Sequence, residues 1–329
     1  MLKKSVLFVV LVSLLALGVA AVGAQDDGPV IAVFSPLGNN DYVLATENGV
    51  AEVVEAAGGS VVVFDAGFDP AEQLNQIEDA ITSENFDAFI IYSVDGIGVT
   101  VGVDAAVEAG IPVIAMDAPI NEDRTTLVPY ENVSAQIART GEGDGALLGE
   151  AIVMACEGID PCEVAFIIGF QTFPLDVDRL AAVEAIVAEN DTIEITAIQE
   201  GLYVEDTGFE AATDMLTANP DIDVIASVGD QMILGAELAV QDAGLEGEVA
   251  LIGQGGNIDA YEAVVEGRWF ATIANIPYTN GRIAGQMALQ ALDGSLIVTS
   301  VNMYDQSPPY PASGAIITAE NAADFTPEW

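Results

Sequence analysis

Histidine is absent from the 329 residues, and basic side chains are scarce: 7 lysines and arginines stand against 52 aspartates and glutamates. Without histidine a Ser-His-Asp triad cannot form, and the commonest metal ligand of proteins is missing. The net charge of −45 repels phosphate backbones, so the composition argues against a nucleic-acid partner. The apolar fraction of 51% excludes a disordered chain and supplies cores for one large or two medium domains.

The N-terminal segment has the order of a secretory leader. Lys3 and Lys4, the only lysines, precede an apolar run over 5–22 and the small residues Gly23 and Ala24. This order predicts a cleaved signal peptide over 1–24, with an uncleaved membrane anchor as the alternative. No cysteine follows the run, so no lipid anchor is indicated, and we expect a periplasmic or secreted protein. Its acidic surface would be relieved of self-repulsion by high salt or by acid.

Two cysteines, Cys156 and Cys162, flank the sequence Glu-Gly-Ile-Asp-Pro. The segment is typical of a helix end, a turn and a strand start. An oxidising compartment favours a disulfide between the two residues, with two free thiols as the alternative. No further ligands stand nearby for a metal ion, and we expect neither a metal nor a cofactor.

From Val30 onward, short apolar runs alternate with segments of helical periodicity. Asp69-Pro70 is a typical helix start, with Asp69 as the N-cap and Pro70 in the first turn. The alternation predicts parallel, doubly wound α/β sheets. The rhythm breaks near 127–130 and restarts with a helix over about 133–155. The predicted strands are 30–35, 60–65, 87–93, 111–117, 163–168, 193–198, 223–227, 248–252 and 270–276.

Residues 79–90 resemble residues 214–225, and an aspartate stands just past the strand in each case, Asp95 and Asp230. This internal similarity predicts two related α/β lobes. Chance similarity between helix–strand units is the alternative.

Ligands of doubly wound sheets bind beyond the carboxyl ends of the strands. Amides and carboxylates at these positions would hydrogen-bond hydroxyl groups, and aromatic faces would stack on sugar rings, so the set suits a small neutral polyhydroxylated ligand. Each Asn or Asp could instead cap a turn or helix, and each aromatic residue could belong to the core. We expect Asp117 and Asp230 to be paired hydroxyl acceptors, one from each lobe. The candidates are Asn40, Tyr42, Asp95, Asp117, Phe173, Tyr203, Asp230, Gln254, Asn257 and Asn275.

Four segments carry a family resemblance: Asp-Pro-Ala-Glu-Gln-Leu-Asn-Gln-Ile-Glu-Asp at 69–79, Ala-Gly-Ile-Pro-Val-Ile-Ala-Met-Asp at 109–117, Gly-Asp-Gln-Met-Ile-Leu-Gly-Ala at 229–236, and Gly-Arg-Trp-Phe-Ala-Thr-Ile-Ala-Asn at 267–275. With them the chain resembles the ribose-binding-protein-like branch of the type 1 periplasmic binding proteins. The resemblance implies two lobes joined by a three-strand hinge, which close on a ligand and hand it to the permease of an ABC importer. We expect a monomer. The implied division is 28–128 with 277–300 for the N-terminal lobe and 129–276 with 301–329 for the C-terminal lobe.

Site residues follow from the same resemblance, position by position. Asn40 and Tyr42 match the Asn-Pro-Phe-Phe after the first strand, and Asp117 keeps the aspartate of an Asp-Arg pair. The family's Arg-x-Arg is Val-Asp-Arg at 177–179, which loses the usual ligand arginine, and Arg179 is a further ligand-binding candidate. The family's Phe-Asp-Gly is Gln-Gly-Gly at 254–256, without the aspartate. The loss of these charged ligand residues argues against ribose itself. The ligand classes that we still expect are a smaller or less hydroxylated sugar, a polyol or a furanose-like molecule.

Other function classes remain open at this point. A ligand-sensing subunit of a membrane receptor would use the same lobes. An exported carbohydrate-active enzyme could employ two carboxylates, but 52 acidic residues make any one pair uninformative. A regulator of the lactose-repressor type would need a DNA-binding headpiece where the predicted leader stands. Binding without catalysis is therefore the function we expect.

Overall fold

The computed structural model describes residues 28–305 and 310–329. The predicted signal peptide over 1–24 lies outside the described residues. Among the residues that are described, no helix has the length and apolar character needed to cross a membrane.

The described chain alternates strands with helices. In chain order the strands are β1 (Val30–Ser35), β2 (Ser60–Asp65), β3 (Ala88–Ile91), β4 (Val113–Asp117), β5 (Ala135–Ala138), β6 (Cys162–Ile168), β7 (Ile193–Glu200), β8 (Val224–Ser227), β9 (Ala250–Gly255), β10 (Ala271–Ala274), β11 (Ser300–Asn302) and β12 (Ile316–Thr318). The α-helices are α1 (Asp41–Ala56), α2 (Pro70–Ser83), α3 (Thr100–Glu108), α4 (Gly141–Ala155), α5 (Pro174–Val187), α6 (Glu205–Ala218), α7 (Asp230–Ala243), α8 (Ile258–Val265) and α9 (Pro277–Asp293).

These strands form two sheets of six, ordered β11-β5-β4-β3-β1-β2 and β12-β10-β9-β8-β6-β7. The pairs are parallel apart from β10 and β12, which run antiparallel. Two doubly wound sheets are the predicted fold class, which is thereby confirmed. We call the first sheet with α1, α2, α3 and α9 the first lobe, and the second sheet with α4 to α8 the second lobe.

Each face of the first sheet is covered, as a parallel sheet requires. Ile31 and Val33 of β1 pack into one buried cluster with residues of α1 and α9, whereas Ala32 and Phe34 pack into another with residues of α2 and α3. Asp69 caps α2 as predicted, because its Oδ1 accepts from the backbone N–H of Ala71 at 2.8 Å.

Strand β5 lies where the sequence predicted part of a helix over 133–155. It also lies beyond the predicted lobe boundary at 128/129. Residues 135–138 are buried and pair with β4 on one side and β11 on the other, so they belong to the first sheet. The helix begins only at Gly141, where Thr140 Oγ1 accepts from the N–H of Gly143 at 3.1 Å. The first crossover between the lobes therefore follows Ala138. The second follows β10, and the third follows β11.

The predicted disulfide between Cys156 and Cys162 is present. Cys156 directly follows α4 and Cys162 begins β6, and the two Cα atoms are 5.7 Å apart. Both cysteines are buried in the core of the second lobe. The bond closes the turn between the first helix and the first strand of that lobe.

Candidate functional site

A cavity lies between the two lobes, at the carboxyl ends of the parallel strands. Its atom-free volume, which includes solvent at the mouth, is about 510 Å³. The wall contains seven of the residues predicted from sequence, contributed by both lobes and by the crossovers between them. These are Asn40, Tyr42, Phe173, Arg179, Tyr203, Gln254 and Asn275.

Four predicted residues do not reach this wall. Asp95 Oδ1 accepts from the N–H of Ile97 at 3.0 Å and so shapes its own turn. Asn257 caps α8, with Oδ1 accepting from the N–H of Ala260 at 2.7 Å. Both side chains serve the alternative role of a local cap, because their oxygens are used by backbone groups a few residues away.

Asp230 is the third of these four and is fully buried behind the wall. Its Oδ1 accepts from Thr272 Oγ1 at 2.8 Å, and its Oδ2 accepts from the N–H of Asn257 at 3.1 Å. Burial raises the pKa of Asp230 to about 7, although these hydrogen bonds oppose the rise. The carboxyl group therefore holds the loop between β9 and α8 in place and faces protein groups rather than the cavity.

Asp117, the fourth, has the left-handed φ of 69° and is 2% exposed. Its Oδ2 accepts from the hydroxyl of Tyr42 at 2.6 Å, and its Oδ1 lies 3.0 Å from Nη2 of Arg139. The hydroxyl of Tyr42 in turn accepts from Nη1 of Arg139 at 2.8 Å. Asp117 thus holds two residues of the wall from behind.

The second lobe repeats this arrangement of tyrosine, arginine and aspartate. The hydroxyl of Tyr203 donates to Asp176 Oδ1 at 2.6 Å and accepts from Nη1 of Arg179 at 2.9 Å. Nη1 of Arg179 also lies 2.8 Å from Asp176 Oδ1. Asp176 and Arg179 are 0% and 2% exposed. Each lobe therefore presents one such triad to the cavity.

Asp144 on α4 joins the two triads. Its Oδ2 lies 2.9 Å from Nε of Arg139 and 2.6 Å from Nη2 of Arg179. Its Oδ1 accepts from the hydroxyl of Tyr304 at 2.6 Å. The result is a continuous buried charge chain, Asp117–Arg139–Asp144–Arg179–Asp176, which passes from the first lobe to the second.

The protonation states of this charge chain follow from its geometry. Burial alone disfavours a charged guanidinium, but Asp117 and Asp144 outweigh it and hold the pKa of Arg139 well above its usual value. Burial also raises the pKa of Tyr42 and of Tyr203 well above the usual value for a phenol. Both tyrosines are therefore neutral donors to their aspartates, and both arginines are charged.

Aromatic rings from the two lobes meet above the charge chain. Phe68, with a left-handed φ of 59°, lies on the first lobe between β2 and α2. Its ring centroid is 4.4 Å from that of Phe170 and 5.4 Å from that of Phe173, and its ring stacks parallel to Tyr203 at 6.4 Å. Nearby, Arg124 makes a two-point ion pair with Asp178 of the second lobe, at 2.7 and 2.9 Å. These contacts hold the lobes against each other around the cavity.

Residues missed by the sequence reasoning also line the cavity, among them Phe68, Tyr92, Arg139 and Trp329. Arg139 was overlooked because its segment was assigned to a helix. The scarcity of cations was the available signal, since an arginine that becomes buried in so acidic a chain needs a carboxylate partner.

The wall can bind neutral hydrogen-bonding groups. Gln254 is 3% exposed, and its Oε1 has no partner within the described chain. Aromatic faces and a few polar groups around an enclosed space are typical of small-molecule sites.

Comparison with known proteins gives consistent matches over most of the chain. A family model described as "Periplasmic binding protein domain" matches residues 31–296. The ribose import binding protein of Escherichia coli (strain K12) is 28% identical over 289 residues, which are 87% of this chain and 93% of that protein. That of Bacillus subtilis (strain 168) is 24% identical over 265 residues, 80% of this chain and 82% of that protein.

Solved structures share the fold. An ABC transporter solute-binding protein from Bacillus halodurans with bound myo-inositol has a TM-score of 0.78 at 21% identity, covering 93% of this chain and 100% of that one. One from Actinobacillus succinogenes with bound D-allose has a TM-score of 0.76 at 24% identity, covering 90% of this chain and 100% of that one.

The charge chain predicts a large penalty for Arg139→Met. The substitution leaves Asp117 and Asp144 buried without one of their partners, so we expect the free energy of unfolding to fall by about 3–5 kcal/mol in urea titrations. Arg282→Met is the matched control, because the Arg282–Glu52 pair is half exposed and its loss should cost under about 1 kcal/mol. Adding Asp117→Asn to Arg139→Met should restore part of the loss, and a strictly additive double variant would contradict the coupling.

Asp230 predicts a specific pH dependence. Its pKa of about 7 in the folded state lies above that of an aspartate in the unfolded state. As the pH falls, the folded state therefore binds a proton before the unfolded state does, and the free energy of unfolding increases from about pH 7 towards pH 4. Asp230→Asn should flatten the rise of the melting temperature between pH 7.5 and 5. Asp79→Asn, at an exposed position of α2, is the control. Equal slopes in the wild type and Asp230→Asn would refute the assignment.

Proposed function

The chain belongs to the family of periplasmic binding protein domains, as its sequence resemblance predicted, and we propose that it captures a ligand between its lobes. The ligand is a small neutral sugar, polyol or furanose-like compound, which the protein delivers to the permease of an ABC importer. The observation that carries this proposal is the cavity between the lobes, whose wall combines aromatic rings with hydrogen-bonding side chains. The relatives named for ribose import support the ligand class.

Ligand contacts follow from the groups that the wall leaves free. Gln254 Oε1 would accept from a ligand hydroxyl, and Asn40 and Asn275 would add amide contacts. Arg139 and Arg179 each have one Nη2 hydrogen not used by the acceptors described above, which would bind a ligand oxygen. Tyr42, Phe173 and Tyr203 would cover the ring faces.

Binding without catalysis fits the state of the carboxylates. Asp117, Asp144 and Asp176 are held in ion pairs behind the wall, which leaves none of the three free as a general acid or base. We propose that the protein works as a monomer in the periplasm after removal of the leader. The sensing subunit of a membrane receptor would use the same cavity and the same lobe closure, but the relatives named for ribose import favour the transport role.

The direct test is a ligand screen. We expect at least one of D-ribose, D-allose, myo-inositol, L-arabinose and D-fucose to raise the melting temperature, since a ligand at 100 times its Kd adds about 2.7 kcal/mol. Calorimetry then gives the affinity, and chromatography should recover the ligand unchanged. Gln254→Leu should weaken binding about 2- to 10-fold, the equivalent of one neutral hydrogen bond. Gln241→Leu, exposed on α7, is the control. Conversion of the ligand to a product would overturn the proposal.

Closure of the lobes is a second expectation. The contacts of Phe68 with Phe170 and of Arg124 with Asp178 join the lobes only when the cleft is shut. Small-angle scattering should therefore show a smaller radius of gyration at saturation with a ligand from the screen than in its absence. The same radius in both conditions would argue against a closing hinge.

A further inference from the structure

The segment after residue 296 lies beyond the part of the chain that the family model matches, yet it reaches the cavity. Phe325 is 3% exposed and packs on the second lobe, with its ring 6.3 Å from that of Tyr261. The carboxylate of Glu328 accepts from both the backbone N–H and the hydroxyl of Thr279, a residue in the first turn of α9. The tail is thus fixed at two points immediately before Trp329.

Trp329 is held in one orientation over the cavity. Its Nε1 donates to the carbonyl of Gly255 at 3.1 Å, and its carbonyl accepts from the N–H of Ile258 at 2.8 Å. Its ring meets the ring of Tyr42 edge to face, with centroids 5.3 Å apart. A residue anchored on the second lobe therefore touches the first lobe beside the ligand space.

Gly255 makes room for this indole. Its φ is 150°, and a Cβ there would lie 2.8 Å from Cζ2 of Trp329 and 2.6 Å from Oδ2 of Asp230. Any side chain at position 255 would displace the ring or the buried carboxylate. The glycine at the end of β9 and the tryptophan of the tail are therefore mutually dependent.

We propose that Trp329 is a specificity-determining residue of the ligand site, which selects ligands that present an apolar ring face. This inference rests on the proposed function. The indole adds an aromatic wall beside Tyr42, on the side where Gly255 contributes no side chain. A tail that only stabilised the lobe would not need an aromatic ring at the cavity, since Phe325 and Glu328 already fix it.

Tryptophan fluorescence can test the placement directly, because the chain has two tryptophans. Trp269 is 2% exposed, and its Nε1 donates to Glu237 in the second lobe. In Trp269→Phe, emission comes from Trp329 alone, and we expect it to change on saturation with any of the five screened compounds that binds. In Trp329→Phe, emission comes from Trp269 and should not change. An unchanged signal in Trp269→Phe, or equal changes in both variants, would overturn the inference.

Affinity provides the second arm. Trp329→Ala should weaken binding of the same compound at least tenfold by calorimetry, whereas Trp329→Phe should keep it within about threefold. Wild-type affinity in Trp329→Ala overturns the role of Trp329 and leaves the proposed function standing. If none of the five compounds binds the wild-type protein, the proposed function falls, and the inference falls with it.

Discussion

The arrangement of the two lobes depends on the buried guanidinium of Arg139. It stands at the first crossover and contacts Asp117 at the end of β4 and Asp144 at the start of α4, so it is bonded to both lobes at once. Its Nη1 also lies 3.1 Å from Asn275 Oδ1 at the second crossover. At the start of the third crossover, the hydroxyl of Tyr304 lies 2.6 Å from Asp144 Oδ1 and 3.2 Å from Asn275 Oδ1. Arg139 therefore links the first crossover to the second directly, and Tyr304 joins the third crossover to them through Asp144 and Asn275.

Such a buried network adds little net stability, because removing charges from water offsets most of their attraction. Its effect is to restrict the pairings that the chain can form. Asp117 pairs with Arg139 alone, Asp176 pairs with Arg179 alone, and Asp144 joins the two arginines. Each arginine of the described residues pairs with a carboxylate, and the two most buried, Arg139 and Arg179, both belong to the charge chain. An acidic surface thus coexists with a site in which both buried guanidiniums have carboxylate partners.

Sequence reasoning predicted the sheets well because an apolar run between helices has few other structures open to it. It missed β5, since Ala135–Ala138 contains alanine and glutamine and derives its strand conformation from pairing with β4 and β11 on either side. The cavity lies at the strand ends where the sequence predicts a ligand site, because parallel strands bring their carboxyl ends to one edge. Which polar side chain faces the ligand was not predictable, because residues at a strand end can point either way.

Asp117 and Asp230 illustrate that last point. Both follow strands, as expected for ligand contacts, but a left-handed φ directs Asp117 to Tyr42 and Arg139, and full burial directs Asp230 to Thr272 and the backbone of Asn257. Their partners lie between 22 residues away in sequence, for Asp117 and Arg139, and 75 residues away, for Asp117 and Tyr42. Because those partners neutralise or shield the carboxylates, the groups left at the wall are phenols, guanidiniums, amides and aromatic faces. The chemistry that the cavity offers is therefore set by contacts behind the wall as much as by the residues on it.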